Sequence, residues 1–243
     1  MRFIRHQHLV QLTHLPYVFP VNCYLVEEQD SLTLVDAGWP INAKDIVKAA
    51  RRIGKPITRI LLTHTHVDHV GAVDHLKWLL PEVQLYLSER EAKLLAGDKS
   101  LVEGEANVPI RGGLAKPGPM KAKPDILLKE GDIIGSLVSI AAPGHTPGQM
   151  AFMDTRNRSL IVGDAFQTRG GLAIAGQMRL LFPFPALSTW DKRTSIETAR
   201  KLLELKPSLI APGHGNLALE PQHLMEAAIK RADKELSPFN GQS

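Results

Sequence analysis

The sequence predicts an α/β fold of layered sheets, on three observations. Between residues 21 and 95, short apolar runs rich in β-branched side chains alternate with stretches whose apolar residues recur at helical spacing. After residue 124 a second set of such strands and helices begins. Many of the strand-like runs also lead into turns marked by Gly, Pro, Asp or His.

The runs at 21–26 and 32–35 flank a polar stretch and predict a hairpin ending at Asp36-Ala37-Gly38. A helix is expected over 42–53, because Asn42 can cap it and Ile46, Val47, Ala49, Ala50 and Ile53 share one face before Gly54 and Pro56 stop it. Residues 57–62 read as a buried strand feeding Thr63-His64-Thr65-His66-Val67-Asp68-His69. A helix at 72–80, a strand at 83–87 and a helix at 89–95 follow. Periodicity then disappears from 97 to 124, where Gly104, Gly112, Gly113 and Gly118 crowd together with Pro109, Pro117, Pro119 and Pro124. This stretch is expected to be a loop inserted in a single domain spanning 1–243, since the chemistry below draws on residues from both sides of it. Strands are predicted at 126–128, 137–141, 150–153, 160–162 and 209–211, and helices at 188–205 and 221–236.

Composition narrows the function. The 243 residues, 44% of them apolar, can bury a real core, and 29 Lys plus Arg against 25 Asp plus Glu leave a net charge of only +4. Arg111, Lys116, Lys121 and Lys123 cluster without an intervening acid, but no aromatic residue interleaves them. They read as a solvated loop, and no nucleic-acid partner is expected. The single cysteine, Cys23, excludes an intramolecular disulfide framework and a thiolate zinc site; inside the run 21–26 it reads as a small core residue. No uninterrupted apolar segment follows Arg2 and Arg5, and no window approaches the roughly 18 apolar residues of a membrane helix. A soluble, cytoplasmic protein without membrane contact is the expectation.

Against that one cysteine stand ten histidines, and five of them fall in three short contexts: His64, His66 and His69 in THTHVDH, His145 in PGHTPG and His214 in PGHG. Asp68 and Asp164 join them, the latter in Val162-Gly163-Asp164-Ala165. Each follows a predicted strand, so all seven can project from one sheet edge. Imidazole and carboxylate ligands without thiolate suit zinc or another first-row divalent ion. His64 and His66 point the same way in an extended turn. Asp68 and His69 can swing toward a second ion as the chain enters the next helix. Seven donors are too many for one tetrahedral ion and divide naturally between two.

The segment His64-Thr65-His66-Val67-Asp68-His69 resembles the H-x-H-x-D-H signature of the metallo-β-lactamase superfamily, with His145, Asp164 and His214 in that family's order. The resemblance implies an αββα sandwich, two sheets face to face with helices outside and metals at one edge. It implies that His64, His66 and His145 hold one ion, that Asp68, His69 and His214 hold the second, and that Asp164 bridges them. Asp36 would orient ligands. Two divalent metal ions follow, Zn2+ foremost with Fe or Mn as alternatives, and hydrolysis by a shared hydroxide that Asp68 orients before passing the proton to the leaving group.

The substrate is expected to be a small ester, thioester or lactone. Zinc β-lactamases lack this full second donor set. Lactone-cleaving relatives carry a Tyr shortly after the bridging Asp, where this chain has Ala165, Phe166 and Gln167. Phe166, the run 180–187 and Trp190 are candidates for an acyl-binding wall, and the four basic residues of the long loop for contact with an anionic tail. The rival readings are a mononuclear iron oxygenase like the persulfide dioxygenases, a phosphodiesterase or nuclease of the same fold, and a metal-sensing role without turnover. The oligomeric state stays open.

Overall fold

The computed structural model describes residues 1–118 and 120–236. Seven strands form a first mixed sheet in chain order: β1 (Arg2–His6), β2 (Leu9–His14), β3 (Val21–Glu27), β4 (Leu32–Val35), β5 (Ile57–Leu61), β6 (Gln84–Ser88) and β7 (Ile126–Leu128). The pairs from β1 to β4 are antiparallel, and those from β4 to β7 are parallel. The parallel half needs crossovers, supplied by α1 (Ala43–Ile53), α2 (Val67–Val70) with α3 (Val73–Leu79), and α4 (Glu89–Leu95).

The second sheet comprises β8 (Ile133–Ile134), β9 (Leu137–Ala141), β10 (Met150–Asp154), β11 (Ser159–Gly163), β14 (Leu209–Pro212) and β15 (Ala218–Leu219), in the order β15-β14-β11-β10-β9-β8. β12 (Phe166–Gln167) and β13 (Ala173–Ile174) form a separate small hairpin. The helices α5 (Phe184–Leu187), α6 (Lys192–Glu204) and α7 (Gln222–Leu236) belong to this half.

Strand alternation assigns each face. Cys23 and Leu25 on β3, Leu34 on β4, Ile60 on β5 and Leu85 on β6 join one core with Ile46 and Ala50 of α1 and Leu76 of α3. Ala151, Leu160, Val162 and Ile210 join another core with Ile196, Ala199 and Leu202 of α6 and Met225 and Ala228 of α7. The residues between them in sequence, Tyr24, Val35, Leu61, Phe152, Ile161 and Leu209, meet in a third core. Three cores stacked this way require four layers, the αββα sandwich.

The sequence reading differs most at two places, and it also lacks the two-residue strands β8, β12, β13 and β15. The N-terminal hairpin β1–β2 was not expected, because β2 hides the polar Gln11 and Thr13 along with its apolar residues and so shows no alternation. The helix expected over 188–205 begins at Lys192: the Asp191 carboxylate accepts from the N–H of Thr194 at 2.7 Å, and the separate short α5 ends upstream. From 97 to 124 no helix or multi-residue strand forms among the described residues; Pro119, part of that loop reading, lies outside them, as do 237–243 of the span 1–243. Among the described residues no helix is long and apolar enough to cross a membrane.

Candidate metal centre

All seven expected donors meet where the two sheets end at one edge. His64 and His66 follow β5, while Asp68 and His69 occupy the short α2, which starts directly after His66. His145 lies between β9 and β10, Asp164 follows β11 and His214 follows β14. Their donor atoms fall into three groups, each within 4.8 Å: His64, His66 and His145; His64, His69 and Asp164; Asp68, His69 and His214. Close packing demands small neighbours. At Gly213 a Cβ would lie 2.1 Å from Oδ1 of Asp164 and 2.6 Å from the His69 ring, which explains the glycine before His214.

Hydrogen bonds fix the orientation of every ring. Thr63 Oγ1 donates to Asp36 Oδ2 at 2.8 Å, so it accepts from Nδ1–H of His64 at 3.0 Å. Thr189 Oγ1 donates to the Pro185 carbonyl and therefore accepts from Nδ1–H of His145 at 3.1 Å. Nδ1–H of His69 donates to Asp36 at 2.8 Å, and that of His214 to the Pro20 carbonyl at 2.7 Å. His66 is reversed, since its Nε2–H donates to the Arg111 carbonyl at 3.2 Å. Each of the five rings therefore spends its proton outward and turns a bare nitrogen inward.

These lone pairs face one another. Nε2 of His64 and Nε2 of His145 lie 3.1 and 2.9 Å from Nδ1 of His66, too close for bare acceptors with nothing positive among them. Nε2 of His69 and Oδ1 of Asp164 approach to 3.4 Å without hydrogen-bond geometry, and both are buried without a partner. Asp164 Oδ2 lies 3.3 Å from His145 Nε2 and 3.1 Å from His214 Nε2, between the two halves. Asp68 Oδ2 lies 3.5 Å from His214 Nε2, and its side chain is the most exposed of the seven at 15%. Inward-facing imidazole nitrogens converging with two carboxylates, each ring already held by a hydrogen bond on its outer nitrogen, fit divalent cations.

Electrostatics separates the halves. Burial keeps His64 and His145 well below the ordinary imidazole range, and His66 below it as well. For His69 and His214 burial acts in the same direction, but the carboxylate charge of Asp164, with Asp68 nearby, outweighs it and raises both. Burial disfavours the Asp164 charge, yet His214 and His69 hold it well below the usual carboxylate range.

Glu91 went unnoticed in the sequence. Fully buried on α4, it accepts from Thr65 N–H at 2.9 Å and Thr65 Oγ1 at 2.7 Å with one oxygen, and from Gly148 N–H at 3.0 Å with the other. It thus ties the residue between two histidines to the loop carrying His145. Its signal is Ser88-x-x-Glu91, the capping-box pattern: Ser88 does cap α4, accepting from Glu91 N–H at 3.1 Å, but the carboxylate turns to the two loops. Phe19 was also missed. Its ring lies 4.9 Å from Phe182, 5.0 Å from Phe184 and 5.8 Å from His214, so a wall does stand beside the site. Phe166 is not part of it, being fully buried against the α6 and α7 core, and Trp190 is buried with its indole bonded to Val108. The side chains of Arg111, Lys116, Lys121 and Lys123 are exposed.

A layered αββα sandwich carrying a His- and Asp-rich cluster at its sheet edge defines a class, and comparison with known proteins agrees. Residues 16–214 match the model of the metallo-beta-lactamase superfamily, and the chain belongs to that family. It is similar to the uncharacterized protein YobT of Bacillus subtilis (strain 168), 49% identical over 234 residues covering 96% of this chain and 100% of that protein. The probable metallo-hydrolase YflN of the same organism is 32% identical over 216 residues, 80% of each chain. A crystal structure of TTHA1623 in a di-iron-bound form superposes with a TM-score of 0.64 at 28% identity, covering 88% of this chain and 96% of that one.

Proposed function

We propose that this chain is a dinuclear metal-dependent hydrolase of small esters, thioesters or lactones. The observation that carries the reading is the set of five imidazoles, each with its proton spent outward and a bare nitrogen turned toward Asp68 and Asp164. His64, His66 and His145 would hold one ion and Asp68, His69 and His214 the other, with Asp164 between them. Zinc is the expected metal, suited to a site of nitrogen and oxygen donors.

When bound, such ions supply a water of lowered pKa and polarise a carbonyl oxygen. The protein's own part is positional and protonic. Asp36 holds His69 and, through Thr63, His64. Asp68, the donor most open to solvent, orients the attacking water, takes its proton and returns it to the leaving alcohol, thiol or ring oxygen. The partner is a small molecule whose body lies along the Phe19, Phe182 and Phe184 wall, an apolar surface suited to an acyl group.

Elemental analysis of the purified protein, coupled to a screen of thioesters, lactones, aryl esters and phosphodiesters, tests the reading. Two zinc equivalents per chain and chelator-sensitive turnover of an ester-type substrate are expected. Asp68→Ala is expected to lower kcat by about 10²- to 10⁴-fold while leaving the circular dichroism spectrum unchanged. One iron per chain with oxygen uptake, or an undiminished Asp68→Ala rate, overturns it.

A further inference from the structure

Four of the five histidines lock Nδ1 and present Nε2; His66 alone does the reverse. Its lock is also unlike the others. The accepting carbonyl belongs to Arg111, within the long segment that has no regular structure. Around that bond the segment is stitched to the His66 turn from both sides. Val67 N–H donates to the Gly113 carbonyl at 2.9 Å, Ala115 N–H donates to the Thr65 carbonyl at 2.9 Å, and Leu114 bridges against His66. Gly112, in the left-handed region at φ +91°, stands where a Cβ would lie 2.1 Å from Nε2 of His66. Any L side chain there would displace the ring or the segment. The same segment reaches His145: the indole N–H of Trp190 donates to the Val108 carbonyl at 3.1 Å, while the backbone N–H of Trp190 donates to the His145 carbonyl at 2.9 Å.

We infer that residues 108–115 form a clamp that sets His66 against His145, with Gly112 as its positioning residue and Trp190 as its tether. The inference rests on the reading above, that His64, His66 and His145 hold an ion. The clamp acts on metal retention in that half alone, because His69 and His214 are locked by Asp36 and Pro20 instead.

The test is a titration of metal-free protein with Zn2+, followed by calorimetry, and with Co2+, followed by visible absorption. Wild type is expected to take up two equivalents. Gly112→Ala is expected to keep one near wild-type affinity and to weaken the other by about tenfold or more. Trp190→Phe, which removes the indole N–H while keeping a large ring, weakens the same equivalent by a smaller factor. Gly104→Ala is the matched control, since Gly104 has the same left-handed backbone, φ +87°, but open space around its Cβ position. Wild-type uptake by Gly112→Ala, or equal losses in Gly104→Ala, overturns the clamp; should Gly112→Ala fail to fold, wild-type uptake by Trp190→Phe does so. If wild type binds no metal, the proposed function fails. The clamp is then judged by long-range ¹H–¹⁵N spectra of the metal-free protein. These are expected to show His66 as the Nε2–H tautomer in wild type and to lose it in Gly112→Ala, and identical ring signals in both overturn it.

Discussion

Oδ2 of Asp36 lies 2.8 Å from Nδ1 of His69 and receives its proton, so that the other nitrogen of that ring is presented bare to Asp164. The same carboxylate accepts from Thr63 N–H at 2.8 Å through Oδ1 and from Thr63 Oγ1 at 2.8 Å through Oδ2. Both oxygens are needed as acceptors. In Asp36→Asn, whichever way the amide turns, its NH2 faces a donor. The substitution preserves volume, so the fold is expected to survive while metal affinity falls by about 10- to 100-fold. Calorimetric titration of the metal-free variant checks this, and wild-type affinity would remove Asp36 from the site.

Cys23 adds a pH dependence at the alkaline end. Burial, helped by the Asp36 charge, pushes the thiol far above its ordinary value of 9.0. The folded protein keeps this proton while the unfolded chain loses it as pH rises through that value, so the unfolded state binds fewer protons and stability falls with pH. The loss is expected to approach about 1.4 kcal/mol for each pH unit beyond it. Between pH 8 and pH 10 this group is expected to cost wild type about 1.4 kcal/mol in urea unfolding, and the fall should be smaller by about that amount in Cys23→Ala. Thiol reagents should leave the folded protein unlabelled throughout.

Much of this molecule was legible in the sequence, and the divide is physical. Strands such as β4 and β11 are dominated by apolar residues because both their faces are buried, so composition announces them. The seven donors were legible because their residue types are costly to bury unless they serve a purpose. What stayed hidden depends on main-chain groups and on long-range meetings. The carbonyls of Pro20 and Arg111 lock His214 and His66, yet a carbonyl belongs to every residue and leaves no mark in a sequence. Phe19 and Phe182 meet only because β2–β3 and the segment before α5 come together at the sheet edge.

Glu91 links those two kinds of information. Its carboxylate satisfies two buried backbone N–H groups, on Thr65 and Gly148, besides the Thr65 hydroxyl. Glu91→Ala leaves these donors without acceptors away from water, at a cost of about 1–3 kcal/mol each. The variant is therefore expected to unfold at markedly lower urea, with an unchanged m-value. It should also lose metal at lower chelator concentration than wild type, because the His64–His66 turn and the His145 loop are no longer tied together. A stability loss without any change in metal retention would restrict Glu91 to the fold.

Phe184 tests the substrate reading. Its ring packs 5.0 Å from Phe19 and 5.4 Å from Phe182, which itself lies 5.1 Å from the His214 ring, yet Phe184 remains 50% exposed. Trimming it removes apolar surface beside the candidate metal centre without opening a core cavity, so folding should be little affected. The wall itself is three aromatic rings with no charged side chain among them. An apolar acyl chain therefore gains more from this wall than an anionic tail does. In a series of acyl esters from two to ten carbons, kcat/KM should rise with chain length in wild type. Phe184→Ala should lose about tenfold at the long end, the worth of roughly 1.4 kcal/mol of apolar contact, and almost nothing on the acetyl ester, whose acyl group is too short to reach the ring. A uniform loss across the series would mean that Phe184 acts through the position of His214 and not through the substrate.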